Sequence, residues 1–252
     1  MNINFPEKSQ IPSLRSLFKE VFGDSDTVVN SFFTTAFSES RCMCATLKNQ
    51  VVASLYWFDC AVNGQKIAYI YAVATKKEQR NKGICGALME KTHNVLKENG
   101  YFGAILVPSN AELFTFYEKF GYKTSCFNET FYVSAANEGI GVEQISAEEF
   151  ALLRKEFLPP NSVIQEKENI DFLKEFALFF KGENFLFAAE VRENTLYCNE
   201  ILGNTAAAPK ILKTLNFENG TFKTFGNETP FAMFLKFKET ATTPNYFAFA
   251  FE

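Results

Sequence analysis

The chain has 252 residues, of which 30 are Phe, and carries a formal net charge of −4. At 47% apolar and 21% charged residues it is a globular composition, long enough for one large domain or two ordinary ones, and not a disordered chain. The weakly acidic balance excludes a nucleic-acid binder driven by a basic field, and no run of about 18 apolar residues offers a membrane span.

The opening, MNINFPEKSQ, holds a short strand and lacks the apolar core of a signal peptide. Leu14, Leu17, Phe18, Val21 and Phe22 recur at helical spacing, and Gly23 stops that helix. Asp24 or Ser25 caps a second helix running to Phe37, with Val28, Phe32 and Phe33 inward. Strands follow at 44–47 and 51–58 around Lys48-Asn49-Gln50, then a hairpin turn at Asn63-Gly64 and a long strand over 66–75. A charged loop, KKEQRNKG, leads to a helix from Ile84 to Asn99, ended by Gly100. A buried strand over 102–108 precedes a short helix capped by Ser109 or Asn110 and closed at Gly121. YKTSCF and ETFYVSA read as a hairpin, and AANEGIG (135–141) as a linker.

The second half opens with Ser146-Ala-Glu-Glu149, a capping box before a helix to Phe157 that Pro159-Pro160 breaks. The spacing predicts a second helix over 168–180, strands at 185–191 and 195–202, a helix over 205–215 and a strand near 221–225. A helix or turn near 228–233 and strand material in FLKF and YFAFAFE complete the chain. Both halves follow one order of elements, without a residue-level repeat. The pattern predicts two copies of a mixed α/β unit, residues 1–137 and 138–252. Divided at Glu138, the first part is net +1 and the second net −5, with 17 of the Phe in the second.

The chemistry lies in YAVATKKEQRNKGICGALM, residues 71–89. A strand ends, a charged loop follows, and a helix opens with Gly83 and Gly86. Glycines let a ligand approach the backbone, and the free amides of a helix start attract phosphate. Arg80 and Lys82 add positive charge. This is neither a Walker loop nor a dinucleotide fingerprint. Six scattered Cys and the single His93 offer no metal-ligand spacing, so no metal is expected; Cys42 and Cys44 form only a C-x-C. Reduced thiols and the missing leader make the cytoplasm the expected compartment.

Arg80-Asn81-Lys82-Gly83-Ile84-Cys85-Gly86 resembles the Arg/Gln-x-x-Gly-x-Gly/Ala motif of the GNAT superfamily of acyl-CoA N-acetyltransferases. Asn110, then Tyr117-Glu-Lys-Phe-Gly121-Tyr122, resembles its second signature. Val73-Ala74-Thr75 ahead of Arg80 resembles the tandem branch that includes the enhanced-intracellular-survival type. Close resemblance covers about residues 41–133; the second half matches by pattern only. One departure is Cys85, where Gly or Ala is usual.

The resemblance implies that Val73, Ala74 and Thr75 run beside the pantetheine arm of acetyl-CoA. A backbone amide near Val73 would stabilise the tetrahedral oxyanion. Asn81, Lys82, Gly83, Ile84, Cys85 and Gly86, with Arg80, would cradle the pyrophosphate, and Asn110 would help hold the cofactor. Tyr117 would protonate the departing thiolate, and a small primary amine would attack the thioester directly. On residues alone Tyr117 also fits a core position, in step with Leu113, Phe116 and Phe120. Cys85 reads as a small residue rather than a nucleophile, His93 as structural, and Asp59 as an ordinary strand-end carboxylate; no general base is assigned. The second half, with GNTAAAPKILKTL in place of the motif, is expected to bind no acetyl-CoA and to wall one side of the acceptor cleft. A CoA-binding module without turnover, or an interaction protein docking through its Phe-rich half, is the alternative. Self-association stays open.

Overall fold

The computed structural model describes residues 1–251. In chain order the elements are β1 (Asn2–Asn4), α1 (Ile11–Phe22), α2 (Asp26–Ser31), β2 (Cys42–Leu47), β3 (Gln50–Val62) and β4 (Gln65–Thr75). Then come α3 (Ile84–Glu98), β5 (Gly103–Leu106), α4 (Ala111–Glu118), β6 (Lys123–Ser134) and β7 (Glu143–Ile145). After these stand α5 (Ala147–Phe157), β8 (Ile164–Gln165), α6 (Glu168–Leu173), β9 (Leu178–Lys181) and β10 (Phe185–Arg192). The last are β11 (Thr195–Gly203), α7 (Ala208–Thr214), β12 (Asn219–Phe225) and β13 (Thr229–Lys236). The fold is mixed α/β and divides into two units.

One compact unit is Met1–Lys123 with Met233–Thr242; the other is Thr124–Ala232 with Thr243–Glu252. The chain therefore crosses between units twice more than a single junction at 137/138 requires. The last residues of β13 explain this: Met233–Lys236 pair antiparallel with Gly103–Leu106 of β5, completing the first unit's sheet.

In the first unit β1 to β4 are antiparallel neighbours. The turn at Asn63-Gly64 has φ of 47° and 74°, the left-handed pair that suits a tight hairpin. Strand β4 then runs parallel to β5. One sheet face carries α3 and α4 over a core including Leu55, Trp57, Leu88, Met89, Leu106 and Tyr117. The other carries α1 and α2 over aromatic rings: Phe18 and Phe32 lie 5.2 Å apart, and Phe32 meets Tyr56 at 5.0 Å. Ser25 caps α2 by accepting from the Val28 amide. Beyond Ser31 this helix widens into a π turn, Phe32–Ala36, rather than continuing as α-helix to Phe37.

In the second unit β6, β12, β11, β10, β9 and β7 lie side by side, with only β11 and β12 parallel. Helix α7 covers one face and α5 with α6 the other. Ser146 caps α5 as its capping-box pattern predicts.

Four further expectations need correction. The hairpin at 122–135 is one strand, β6, because Asn128 continues the ladder opposite Phe225 instead of turning. The helix over 168–180 stops at Leu173; FALFF goes into β9, where Phe179 and Phe180 face opposite sides of the sheet and each finds a core. The stretch near 228–233 is strand β13, not helix or turn. YFAFAFE forms no strand: Tyr246 makes a single bridge to Ser162, although Tyr246–Phe249 are buried, and Glu252 lies outside the described residues.

Candidate active site

The site begins where two parallel strands part. Strand β4 pairs with β5 over Ile67–Tyr69 and Gly103–Ile105, and the ladder stops there. Ala72 sits at φ 48°, and the register against β3 shifts between Ser54 and Tyr56, so β4 bulges at this point. A bulge adds a residue and turns the strand. Past β5, Pro108 has no amide with which to resume pairing. Val73, Ala74 and Thr75 thus run on toward the charged loop without a partner from β5. Val73 and Thr75 are partly exposed, and Ala74 is buried.

The loop is braced from within. Arg80 Nε donates to the Thr75 carbonyl at 3.1 Å, and Lys82 Nζ to the Glu78 carbonyl at 2.8 Å. Asn81 and Gly83 take left-handed φ of 61° and 76°. Gly83 is the N-cap of α3 and supplies no capping side chain. The first amide of this helix to find a partner is that of Ala87, which donates to Gly83 O at 3.0 Å. The amides of Ile84, Cys85 and Gly86 point out of the helix start, as geometry requires. A Cβ built on Gly83 meets nothing within 4 Å, and one on Gly86 meets only the Phe120 ring at 3.5 Å. The space before this turn is open. A groove of about 530 Å³ continues from it along α3, lined by Gly83, Gly86, Ala87, Asn94, Lys97 and Phe120 among others.

Tyr117 stands on α4, 7% exposed, with Phe116 at 5.2 Å and Tyr122 at 6.0 Å. Burial, and then the neighbouring Cys85 thiol, push its phenol well above the ordinary value. Its hydroxyl has no hydrogen-bond partner among the described residues, and it is not sealed from solvent. A Tyr kept only for the core ordinarily bonds its hydroxyl. Cys85 packs its half-buried side chain on the same core, and burial pushes its thiol up to about 11. It is a thiol at neutral pH, not an activated nucleophile. Asn110 accepts from the Leu113 amide at 3.1 Å, so its side-chain oxygen caps α4.

The remaining candidates are occupied elsewhere. His93 Nε2 bonds the Tyr122 hydroxyl at 2.9 Å; burial, then Lys97, lower it to about 4. Asp59 accepts from Tyr101, whose hydroxyl also accepts from Trp57 Nε1 at 3.2 Å, and lies 3.5 Å from Lys66 Nζ. Asp59 is opposite Ala68, before the strands part, and not beside the opening. Among the described residues no three His, Cys, Asp or Glu side chains come together as a metal set, and no helix is long and apolar enough to cross a membrane.

Two residues without a local motif lie by the bulge in β4. Tyr71 immediately precedes the bulge, 5.4 Å from the Phe32 ring and 5.6 Å from Phe58. Asp24, in the turn between α1 and α2, lies near enough to oppose ionisation of Tyr71. Burial raises the Asp24 carboxyl, and no hydrogen bond or ion pair holds it among the described residues. The only sequence signal is Gly23, which ends α1 at φ 74° and turns the chain at this point.

A family model for the acetyltransferase (GNAT) domain matches residues 2–125, nearly the whole continuous part of the first unit. Strand-parting, bulge, glycine turn and this match together define an acetyltransferase class of enzyme. Residues 2–125 thus match the acetyltransferase (GNAT) domain family. Solved structures resemble it across both units. A GCN5-related N-acetyltransferase from Anabaena variabilis matches with a TM-score of 0.73 at 14% identity, over 92% of this chain and 72% of that one. Eis1 from Mycobacterium abscessus matches at 0.69 and 12%, over 94% and 74%. A putative acetyltransferase from Pyrococcus horikoshii matches at 0.66 and 14%, over 98% and 93%. At such identities the likeness is one of fold. No curated protein matches in sequence.

Proposed function

We propose that the first unit moves an acetyl group from acetyl-CoA to a primary amine of a small molecule, by direct attack in a ternary complex. The observation that carries this is the parting of β4 from β5 at Tyr69–Ile105, which leads straight to the open amide turn at Gly83. An extended pantetheine arm is completed by unpaired strand backbone, and a pyrophosphate by helix-start amides. Val73, Ala74 and Thr75 take the arm. Arg80, Asn81, Lys82, Gly83, Ile84, Cys85 and Gly86 take the pyrophosphate, mostly through backbone. Asn110 contributes by fixing the start of α4, which carries Tyr117.

Tyr117 supplies the proton side of the reaction. Its raised phenol is fully protonated at neutral pH, and a thiol releases its proton near 8.5, below the phenol. It therefore meets the departing thiolate as a hydrogen-bond donor, stabilising the charge as the thioester C–S bond breaks. The acceptor side is formed by Tyr71 and Asp24. An unpaired, partly buried carboxylate beside an aromatic ring suits a cationic amine. Cytoplasmic residence fits the reduced thiols of this reading.

Calorimetric titration with acetyl-CoA, followed by thiol release against a panel of amines, amino acids and polyamines, tests the proposal. Binding without release from any acceptor supports a CoA-binding module instead. If acetyl-CoA neither binds nor raises the melting temperature, the proposal fails.

A further inference from the structure

The groove that continues from the Gly83 turn along α3 takes no part in the thioester chemistry. It holds about 530 Å³, and Gly86, Ala87, Glu90, Asn94 and Phe120 are among its walls. Gly86, Glu90 and Asn94 stand four residues apart, so they form one stripe on the helix. Helical side chains lean toward the N-terminus, which aims Glu90 and Asn94 back at the turn. Both are exposed, and among the described residues neither side chain makes a hydrogen bond or an ion pair.

The other lining groups are engaged or apolar. His93 Nε2 is bonded to the Tyr122 hydroxyl, and the Lys97 ammonium lies 5.4 Å over the Phe237 ring. Ala87 projects only a methyl group into the groove. The half-buried Phe120 ring stands 3.5 Å from where a Cβ on Gly86 would lie, and so walls the mouth beside the turn.

Charge decides which part of a ligand fits here. A phosphate passing beyond the turn meets the Glu90 carboxylate. The one lining cation, Lys97, stands eleven residues past Gly86, about 16 Å along the helix. A flat neutral base suits the groove better. Its amine donates to a carboxylate, its ring nitrogens bond an amide, and its face packs on an aromatic ring. Gly86 to Asn94 spans about 12 Å, room for a nucleoside hung on a phosphate at the turn. The geometry points to an adenine-reading groove: Glu90 accepts from the exocyclic amine of the CoA base, the Asn94 amide bonds the neighbouring ring nitrogen, and Phe120 packs on the ring. The assignment rests on acetyl-CoA being the donor. It gives a free CoA thioester a hold that the same phosphopantetheine arm lacks when carried on a protein.

Calorimetric titration of the full chain with three ligands tests it. They are acetyl-CoA, its etheno analogue, whose added ring removes the amine N–H donors, and acetyl-phosphopantetheine, which ends at the first phosphate. The parent is expected to bind acetyl-CoA about tenfold more tightly than the etheno analogue. Glu90→Ala and Asn94→Ala, both at exposed positions, are each expected to weaken acetyl-CoA about tenfold and to leave acetyl-phosphopantetheine unchanged. Glu90→Ala also carries a sign. If the carboxylate only faces solvent near the phosphates, its removal leaves acetyl-CoA binding unchanged or tighter, and that result overturns the inference. Equal binding of acetyl-CoA and its etheno analogue overturns it as well, with acetyl-CoA still standing as the donor. Failure of acetyl-CoA to bind the parent overturns the donor reading and the adenine groove together.

Discussion

The two units use one strand arrangement to opposite ends. In the first, β4 and β5 run parallel through Ile67–Tyr69 and Gly103–Ile105 and then part. In the second, β11 and β12 do the same through Leu196–Cys198 and Gly220–Phe222. In each, the parting strand shifts register against its hairpin partner just past the paired segment, opposite Ser54/Tyr56 and opposite Ala188/Ala189. Beyond that point they differ. The first opening leads to a turn whose glycine faces free space. The second is closed by the chain: Thr224 Oγ1 donates to the Ile201 carbonyl at 2.7 Å, spanning the gap between the strands. Glu200 on β11 is locked to Arg154, both essentially unexposed. Gly203 has the same left-handed φ as Gly83, but a Cβ there meets Asn184 O at 2.4 Å. Helix α3 runs 15 residues from its open turn, whereas α7 has seven and carries Pro209 in its first turn. A parted strand pair is thus only a precondition for a ligand site. What decides is whether the next few side chains leave the gap open or bridge it.

This contrast can be broken or sharpened by substitution. Tyr117→Phe removes the donor in the open unit; transfer falls roughly 10²–10⁴-fold while calorimetric acetyl-CoA affinity stays unchanged. Equal loss of both would show Tyr117 to be a packing residue. In the closed unit, Arg154→Met leaves the Glu200 charge buried and unpaired, at a cost of about 3–5 kcal/mol in denaturant unfolding. Changing Glu200 to Leu in the same protein recovers most of that, because an apolar pair of similar volume suits the site.

His93 gives a pH test of the first unit. Its folded value, about 4, lies below the unfolded value near 6.5. The stability tied to its neutral form is complete above pH 6.5 and is lost as pH falls toward 4, by up to about 3 kcal/mol. His93→Gln is expected to flatten that decline relative to the parent, and parallel pH–stability curves would contradict it. The smallest effect belongs to Thr224→Val, which removes the bridge in the second unit at about 1 kcal/mol. Acetyl-CoA binding to the first unit is expected to be unmoved by this change.

Much of this was legible in local pattern. The span of α1, its Gly23 stop, the Asn63-Gly64 turn, the Ser146 cap and the glycine turn before α3 all follow from neighbours within a few residues. Propensity misread FALFF as helix because a buried strand with two apolar faces has no period to distinguish it. It misread β6 as a hairpin because Asn128 resembles a turn residue, and only the ladder to β12 makes it a strand residue. Apart from the Gly23 stop, nothing local marked the pairing of Asp24 with Tyr71, since they are distant in sequence and meet only through the packing of the first two helices on β4.

The amino-acid sequence alone pointed to the acetyltransferase (GNAT) domain of residues 2–125, to the glycine turn before α3 and to Tyr117, because each is written in a short run of consecutive residues. Tertiary structure alone decided which parted strand pair is open, and that β13 sends its last residues to complete the first unit. These depend on contacts between residues far apart in the chain. Thr224 reaches Ile201 and Arg154 reaches Glu200 only after the sheet has formed, and no local spacing encodes whether a side chain will fill a gap that folding creates.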